Sequence, residues 1–290
     1  MQDIVISAVS NYEYDRLKIW VNSLNSCGFK GRKIMVCFNV SDDTIKKLNE
    51  NDIEVFLTTD KRNATNDGFL YQENFSYQVP MVRHLVNWYF LKSLTDIRYV
   101  ISTDCADVVF QSNPSEWLEK NLGNKKLNYG CEGLMYKNEE WGYQNISNTF
   151  GPIIQDYMKD TPIYNAGSMA GEFRTFVDFS LAVFVSVQNN REPMPDQAGV
   201  NLLLSLEPYK SITKFNDHDM NWACQCGTTV DPNKINAFRQ NLLSPEPSFD
   251  YENGVVRNSK GEKYVLVHQY NRVPEWKKIL EEKYGRLCNV

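Results

Sequence analysis

Residues 99–110 read Tyr99-Val100-Ile101-Ser102-Thr103-Asp104-Cys105-Ala106-Asp107-Val108-Val109-Phe110 (YVISTDCADVVF). The first four residues are apolar and β-favouring, so they predict a buried strand that ends at Thr103-Asp104 and resumes as Val108-Val109-Phe110. In open parallel sheets ligands collect at the carboxyl ends of strands, so two carboxylates at such an end mark the chemically interesting edge of the fold. Asp104 and Asp107 lie three residues apart, and a bend through Cys105-Ala106 lets both face one cation. Surface aspartate pairs are common, and only the position after an apolar strand lifts this pair above a solvated loop.

Working outward, residues 3–9 (DIVISAV) predict a first strand, residues 14–24 a helix, and residues 33–40 (KIMVCFNV) a second strand. Ser41-Asp42-Asp43 caps a helix through Asn49, and residues 53–57 form a third strand. Strand and helix alternating in this way imply a parallel α/β sheet. A polar loop is expected from Thr58 to about Asn74, and residues 82–94 (VRHLVNWYFLKSL) carry the broad apolar face of a buried helix. Residues 133–162, rich in Asn, Tyr, Gly and Glu, are expected to be irregular, while residues 175–189 and 197–206 read as helices. No internal repeat or linker divides the 290 residues.

Composition narrows the function. Lys plus Arg number 31 against 36 Asp plus Glu, a net charge of −5, without the basic stripe that nucleic acid requires. The short patches at Lys125-Lys126 and Lys277-Lys278 read as solvated surface. No window approaches the roughly 18 apolar residues of a membrane span, and the N-terminal apolar run is too short for a secretion signal. The seven cysteines are odd in number and scattered, so reduced thiols and a cytoplasmic setting are expected. Cys224 and Cys226 lack a second pair and read as packing rather than zinc ligands.

Three downstream segments complete the constellation. Residues 264–268 (YVLVH) predict a strand ending in His268, one of three histidines. Two carboxylates and one imidazole suit Mn²⁺, or Mg²⁺, and leave positions for two phosphate oxygens. Such a clamp neutralises the charge on a departing nucleoside diphosphate. Residues 164–168 (YNAGS) form a turn whose glycine either relaxes the backbone or lets a ligand approach the main chain. Asp196-Gln197 opens a helix, where Asp196 can cap, contact a sugar or acceptor hydroxyl, or do both.

In this order, TDCADVVFQSNP, YNAGSMAG, PDQAGVN and VLVHQ resemble the GT-A glycosyltransferases across the whole chain. The likeness is to the family of glycogenin and the bacterial lipopolysaccharide galactosyltransferases, and to the glycosyltransferase domains of lysyl hydroxylases, which share the Asp-x-x-Asp form. The resemblance implies one Rossmann-like α/β domain with a mixed, mainly parallel sheet and flanking helices, its nucleotide-binding half at about 1–114 and its acceptor-side half at about 115–290. It also implies transfer from a nucleotide sugar, a UDP-sugar by the habit of these families, to a hydroxyl of a glycan or glycoconjugate. By the same resemblance Asp104, Asp107 and His268 hold the metal, and Asp104 also meets the nucleotide. Asn165, Ala166 and Gly167 contact the sugar, and Asp196 and Gln197 lie near donor sugar and acceptor. Ala8, Val9 and Ser10 meet the base, and Arg83 stands on the helix before the metal strand. If transfer inverts the anomeric centre, Asp196 is the candidate general base; stereochemistry is left open.

Two other readings compete. A nucleotidyltransferase needs a Gly-rich basic loop after strand one, and residues 10–14 (SNYEY) offer neither glycine nor a cation. A carbohydrate-binding protein without catalysis would use Trp141, Trp222 and Trp276 as sugar platforms.

Overall fold

The computed structural model describes residues 1–58, 71–72, 75–76, 78–190, 192 and 194–285. The predicted polar loop therefore lies almost wholly outside the described residues, as does Cys288. Strands Gln2–Ser10, Arg32–Phe38, Glu54–Leu57 and Ile97–Thr103 pair in parallel. The sheet continues through Ser168–Glu172, antiparallel to both of its neighbours, to Leu127–Met135 and Thr213–Asn216. The sheet is thus mixed but mainly parallel, with strands from both halves of the chain.

Side-chain alternation along the first strand feeds two cores. Ile4 and Ile6 join Ile34, Val36 and Phe38 under helices Val79–Leu91 and Phe173–Val187. Val5 and Val9 join Met35, Cys37 and Ile101 on the other face, against Leu17, Trp20 and Val21 of helix Tyr14–Ser26. Ser41 caps helix Asp42–Glu50 as expected, its side chain accepting from the Thr44 N–H.

The run through Asp104 does not continue as one strand. The chain bends between Asp104 and Asp107, and Val108–Phe110 leaves the main sheet for a second one, antiparallel to Leu266–His268, which itself pairs in parallel with Ala223–Gln225. His268 stands opposite Val108 in that register, and the Gln269 N–H donates to the Asp107 carbonyl at 2.8 Å. Pairing of this second sheet carries His268 to the strand end.

Residues 133–162, expected to be irregular, are a strand end, a short 3₁₀ turn and helices Glu140–Phe150 and Pro152–Met158. The Glu139 carboxylate accepts from the Gly142 N–H at 2.6 Å and starts the first helix; Pro152 starts the second. Only a few apolar residues, Ile146, Met158 and Ile163 among them, fill a small core there, so the helical period was hidden among Asn, Tyr and Gly. The lysine patches are surface features: Lys126 pairs with Glu172 and Lys277 with Glu281.

Candidate active site

At the end of Ile97–Thr103 the Asp104 N–H donates to the Gly167 carbonyl at 3.0 Å, pinning the bend to the Asn165–Gly167 turn. One ligand atom each from Asp104, Asp107 and His268 lies within 4.8 Å of the others. His268 Nε2 is 3.3 Å from Asp104 Oδ2 and 3.7 Å from Asp107 Oδ1, yet it is buried without a hydrogen-bond partner. A buried, unpartnered imidazole nitrogen aimed between two carboxylates has the donor set and direction a divalent cation requires.

The electrostatics agree. Burial and the neighbouring Asp104 carboxylate outweigh the pull of His268, Arg272 and Arg16 and raise the Asp107 carboxyl above the ordinary carboxylate range. Burial also works to raise Asp104, but Arg83 and His268 overcome it and hold that carboxyl low. Burial would lower His268, and the two carboxylates together with Glu132 raise it instead. The cluster therefore favours a positive charge at its centre.

Arg83 is 6 % exposed. Its Nη1 is ion-paired with Asp104 Oδ1, and its Nη2 donates to Asp196 Oδ2 at 2.8 Å. Capping, one of the roles open to Asp196, is not the one its carboxylate takes. Pro195 holds the N-cap position of helix Asp196–Ser205 and no side chain caps it, because the Asp196 carboxylate, 3 % exposed, turns inward to Arg83. Burial would raise Asp196; the nearby His84 ring, 3.8 Å away, and the charge of Arg83 leave it lowered.

Gln197 Oε1 accepts from the Ala166 N–H at 2.9 Å, and Gln197 Nε2 donates to Glu132 Oε1 at 2.6 Å. Asn165 Nδ2 donates to the same Glu132 oxygen at 2.8 Å, and Asn165 Oδ1 accepts from the Gly167 N–H at 2.6 Å. The space beside Gly167 is occupied by protein side chains. A Cβ at this position would lie 2.6 Å from Asp104 Oδ2 and 2.7 Å from His268 Cε1. Overpacking of this kind costs roughly 1–3 kcal/mol of stability, and Gly167→Ala is expected to lose about that much. Equilibrium unfolding checks this; unchanged stability would show that the turn yields to a side chain.

Two chambers meet at Pro80, Arg83 and Asp104. One is lined by Ala8, Val9, Ser10, Tyr12, Arg16 and Asp107, with the Arg16 guanidinium 3.8 Å above the Tyr12 ring. The other, a cleft of ≈ 340 Å³, is lined by Asn165, Ala166, Gly167, Asp196, Gln197 and His268 together with Glu132, Trp141, Asp231, Lys234 and Arg272. Every site residue expected from the sequence thus borders one chamber or both. Sequence reasoning missed Tyr12, Arg16, Glu132, Asp231, Lys234 and Arg272. Arg272 had a signal in following the His268 strand closely; Glu132 had none, because Asn128, Gly130 and Gly133 break the β pattern around it. Of the three candidate platforms only Trp141 is available, 47 % exposed, whereas Trp222 and Trp276 are buried in the cores.

This topology is the GT-A glycosyltransferase fold. The structure is similar over 99% of this chain and 97% of the other to the galactosyltransferase LgtC in complex with donor and acceptor sugar analogs, with a TM-score of 0.56 and 15% identity. It is also similar to the glycosyltransferase GlyE in Streptococcus pneumoniae TIGR4, with a TM-score of 0.52 and 11% identity, over 99% of this chain and 64% of that one. No protein-family profile matches the sequence, and no curated protein sequence does.

Proposed function

We propose that this chain is a metal-dependent glycosyltransferase that moves a sugar from a nucleotide-sugar donor, a UDP-sugar, to a hydroxyl of a glycan or glycoconjugate. The observation that carries this reading is the unpartnered His268 Nε2 between Asp104 and Asp107, at the junction of two chambers on a GT-A sheet. A divalent cation, Mn²⁺ or Mg²⁺, held by these three residues would neutralise the diphosphate that departs as the sugar–phosphate bond breaks. Tyr12, Arg16 and the strand end Ala8–Ser10 offer a base an aromatic face and a cation. Arg83 holds Asp104 in place and adds a fixed positive charge where the chambers meet. Asn165, Gln197 and Glu132 present hydrogen-bonding groups to sugar hydroxyls, and Trp141 an apolar face to the acceptor. One sheet built from both halves supports a single domain with nucleotide side 1–114 and acceptor side 115–290.

Should transfer invert the anomeric centre, a base must take the acceptor proton. Glu132, raised by burial against its bonds to Asn165 and Gln197, is the better proton acceptor; Asp196, lowered and tied to Arg83, serves as an anchor. Product configuration read by NMR, with turnover of Glu132→Gln and Asp196→Asn, tests this assignment. Among the described residues no helix is long and apolar enough to cross a membrane. The odd, scattered cysteines of the sequence are the ground for taking the setting as reducing and cytoplasmic.

The deciding experiment is a panel of nucleotide sugars scored by thermal shift with and without Mn²⁺, followed by nucleoside diphosphate release. A stabilising donor whose effect requires the metal, with slow release to water, is the expected result. Binding of free glycans without any effect of nucleotide sugars would favour a carbohydrate-binding protein instead.

A pH dependence follows from His268. Its imidazole must lose a proton before Nε2 can donate to a metal, and the carboxylates raise its pKa above the ordinary value of about 6.5. Mn²⁺ affinity should therefore begin to fall at a pH above that value and keep falling as acid is added, with excess Mn²⁺ restoring activity. Mn²⁺ activation curves across this range check it, and His268→Ala should lose this component of the profile.

A further inference from the structure

Gln225 ends the strand Ala223–Gln225 and lies opposite His268 in the parallel register of the second sheet. It is 0 % exposed. Its Oε1 is 2.8 Å from His268 Nδ1, and its Nε2 donates to Ser168 Oγ at 2.8 Å. Its backbone is held as well, the carbonyl accepting from Thr229 Oγ1 at 2.8 Å. A carboxamide oxygen is an acceptor only, so the nitrogen facing it must carry the hydrogen.

We infer that Gln225 is the positioning residue of the candidate metal centre, holding His268 in its Nδ1–H tautomer so that the Nε2 lone pair faces Asp104 and Asp107. The inference rests on the metal reading proposed above and goes beyond it to a residue outside the ligand set. A ligating histidine needs one nitrogen for the metal, and the hydrogen bond at the other decides which nitrogen is free and how the ring is turned. Here that bond comes from a fully buried amide, itself bonded to Ser168 on the neighbouring strand of the main sheet. The ring is therefore oriented by both sheets at once. A ring turned into the other tautomer would put a hydrogen on Nε2, directed at the carboxylates, and close the site to a cation.

The protein contains three histidines, so ¹⁵N-histidine labelling gives three ring systems, and the His268 signals are those lost in His268→Ala. In metal-free wild type at alkaline pH, where the ring is neutral, His268 should show the Nδ1–H pattern. His218 is a built-in contrast: its Nε2 is 3.1 Å from the Pro245 carbonyl, which demands a hydrogen on that nitrogen. Gln225→Leu should release His268 from the Nδ1–H form and weaken Mn²⁺ binding about 10–100-fold, the range for loss of an outer partner of a metal ligand. Gln225→Glu, which keeps an acceptor for Nδ1–H, should retain the tautomer and bind Mn²⁺ within a few-fold of wild type. A His268 ring in the Nε2–H form in wild type would overturn the inference without any variant having to fold. Equal Mn²⁺ affinity in wild type and Gln225→Leu would overturn it too, while leaving the metal reading intact. Failure of the wild type itself to bind Mn²⁺ would remove the metal reading, and this inference with it.

Discussion

Asp107→Ala is expected to lower kcat/KM about 10³-fold, some 4 kcal/mol of transition-state stabilisation, and to leave the fold intact. Asp107 contributes its backbone carbonyl to the second sheet, accepting from the Gln269 N–H, and alanine keeps that bond. Its carboxylate is held unfavourably in the metal-free protein, by burial and by Asp104. Removing it relieves repulsion, so the melting temperature without metal should stay level or rise, while the stabilisation added by Mn²⁺ disappears. Transfer assays and paired melting curves with and without Mn²⁺ read both effects. Full activity in this variant would withdraw the metal assignment; a lower metal-free melting temperature would show that the side chain holds the bend.

Arg83→Met should be damaging for a different reason. The guanidinium links the partly exposed Asp104 to the buried Asp196, and Asp196 is 3 % exposed with His84 at 3.8 Å as its other neighbour. Removing one member of a buried ion pair leaves a desolvated charge and costs about 3–5 kcal/mol, equivalent to a fall of roughly 5–8 °C in melting temperature for a domain of this size. Activity should fall with it, because Asp104 loses the partner that fixes its carboxylate. The check is a double variant: adding Asp196→Asn to Arg83→Met removes the orphaned charge and should recover part of the stability but none of the activity. If the double variant is no more stable than the single one, the loss comes from packing rather than charge.

Much of the site was legible because its signals are local. Asp104 and Asp107 follow an apolar strand, His268 ends one, and Asn165–Gly167 and Asp196–Gln197 stand at an element boundary. Strand ends and helix starts are where backbone geometry frees side chains for chemistry, and such boundaries are written in hydrophobic patterning. The residues that went unread are of another kind. Glu132 lies within the strand Leu127–Met135 and Gln225 ends the strand Ala223–Gln225, two segments that hydrophobic patterning did not mark. Their significance lies in partners from distant segments: Asn165 and Gln197 for the first, Ser168 and His268 for the second.

The sequence by itself determined the α/β alternation, the strand end that carries the two aspartates, and the order of the segments around it, because hydrophobic period and turn chemistry act over a few residues. Only the tertiary structure decided that Val108–Phe110 leaves the main sheet and pairs with Leu266–His268, which brings His268 to Asp107. Only it decided that Asp196 faces Arg83 instead of capping its own helix. It also settled that Gly167 is glycine because Asp104 and His268 occupy the space a side chain would need. These outcomes depend on strand register and on which buried charges find each other, and both are fixed by contacts between residues far apart in the chain.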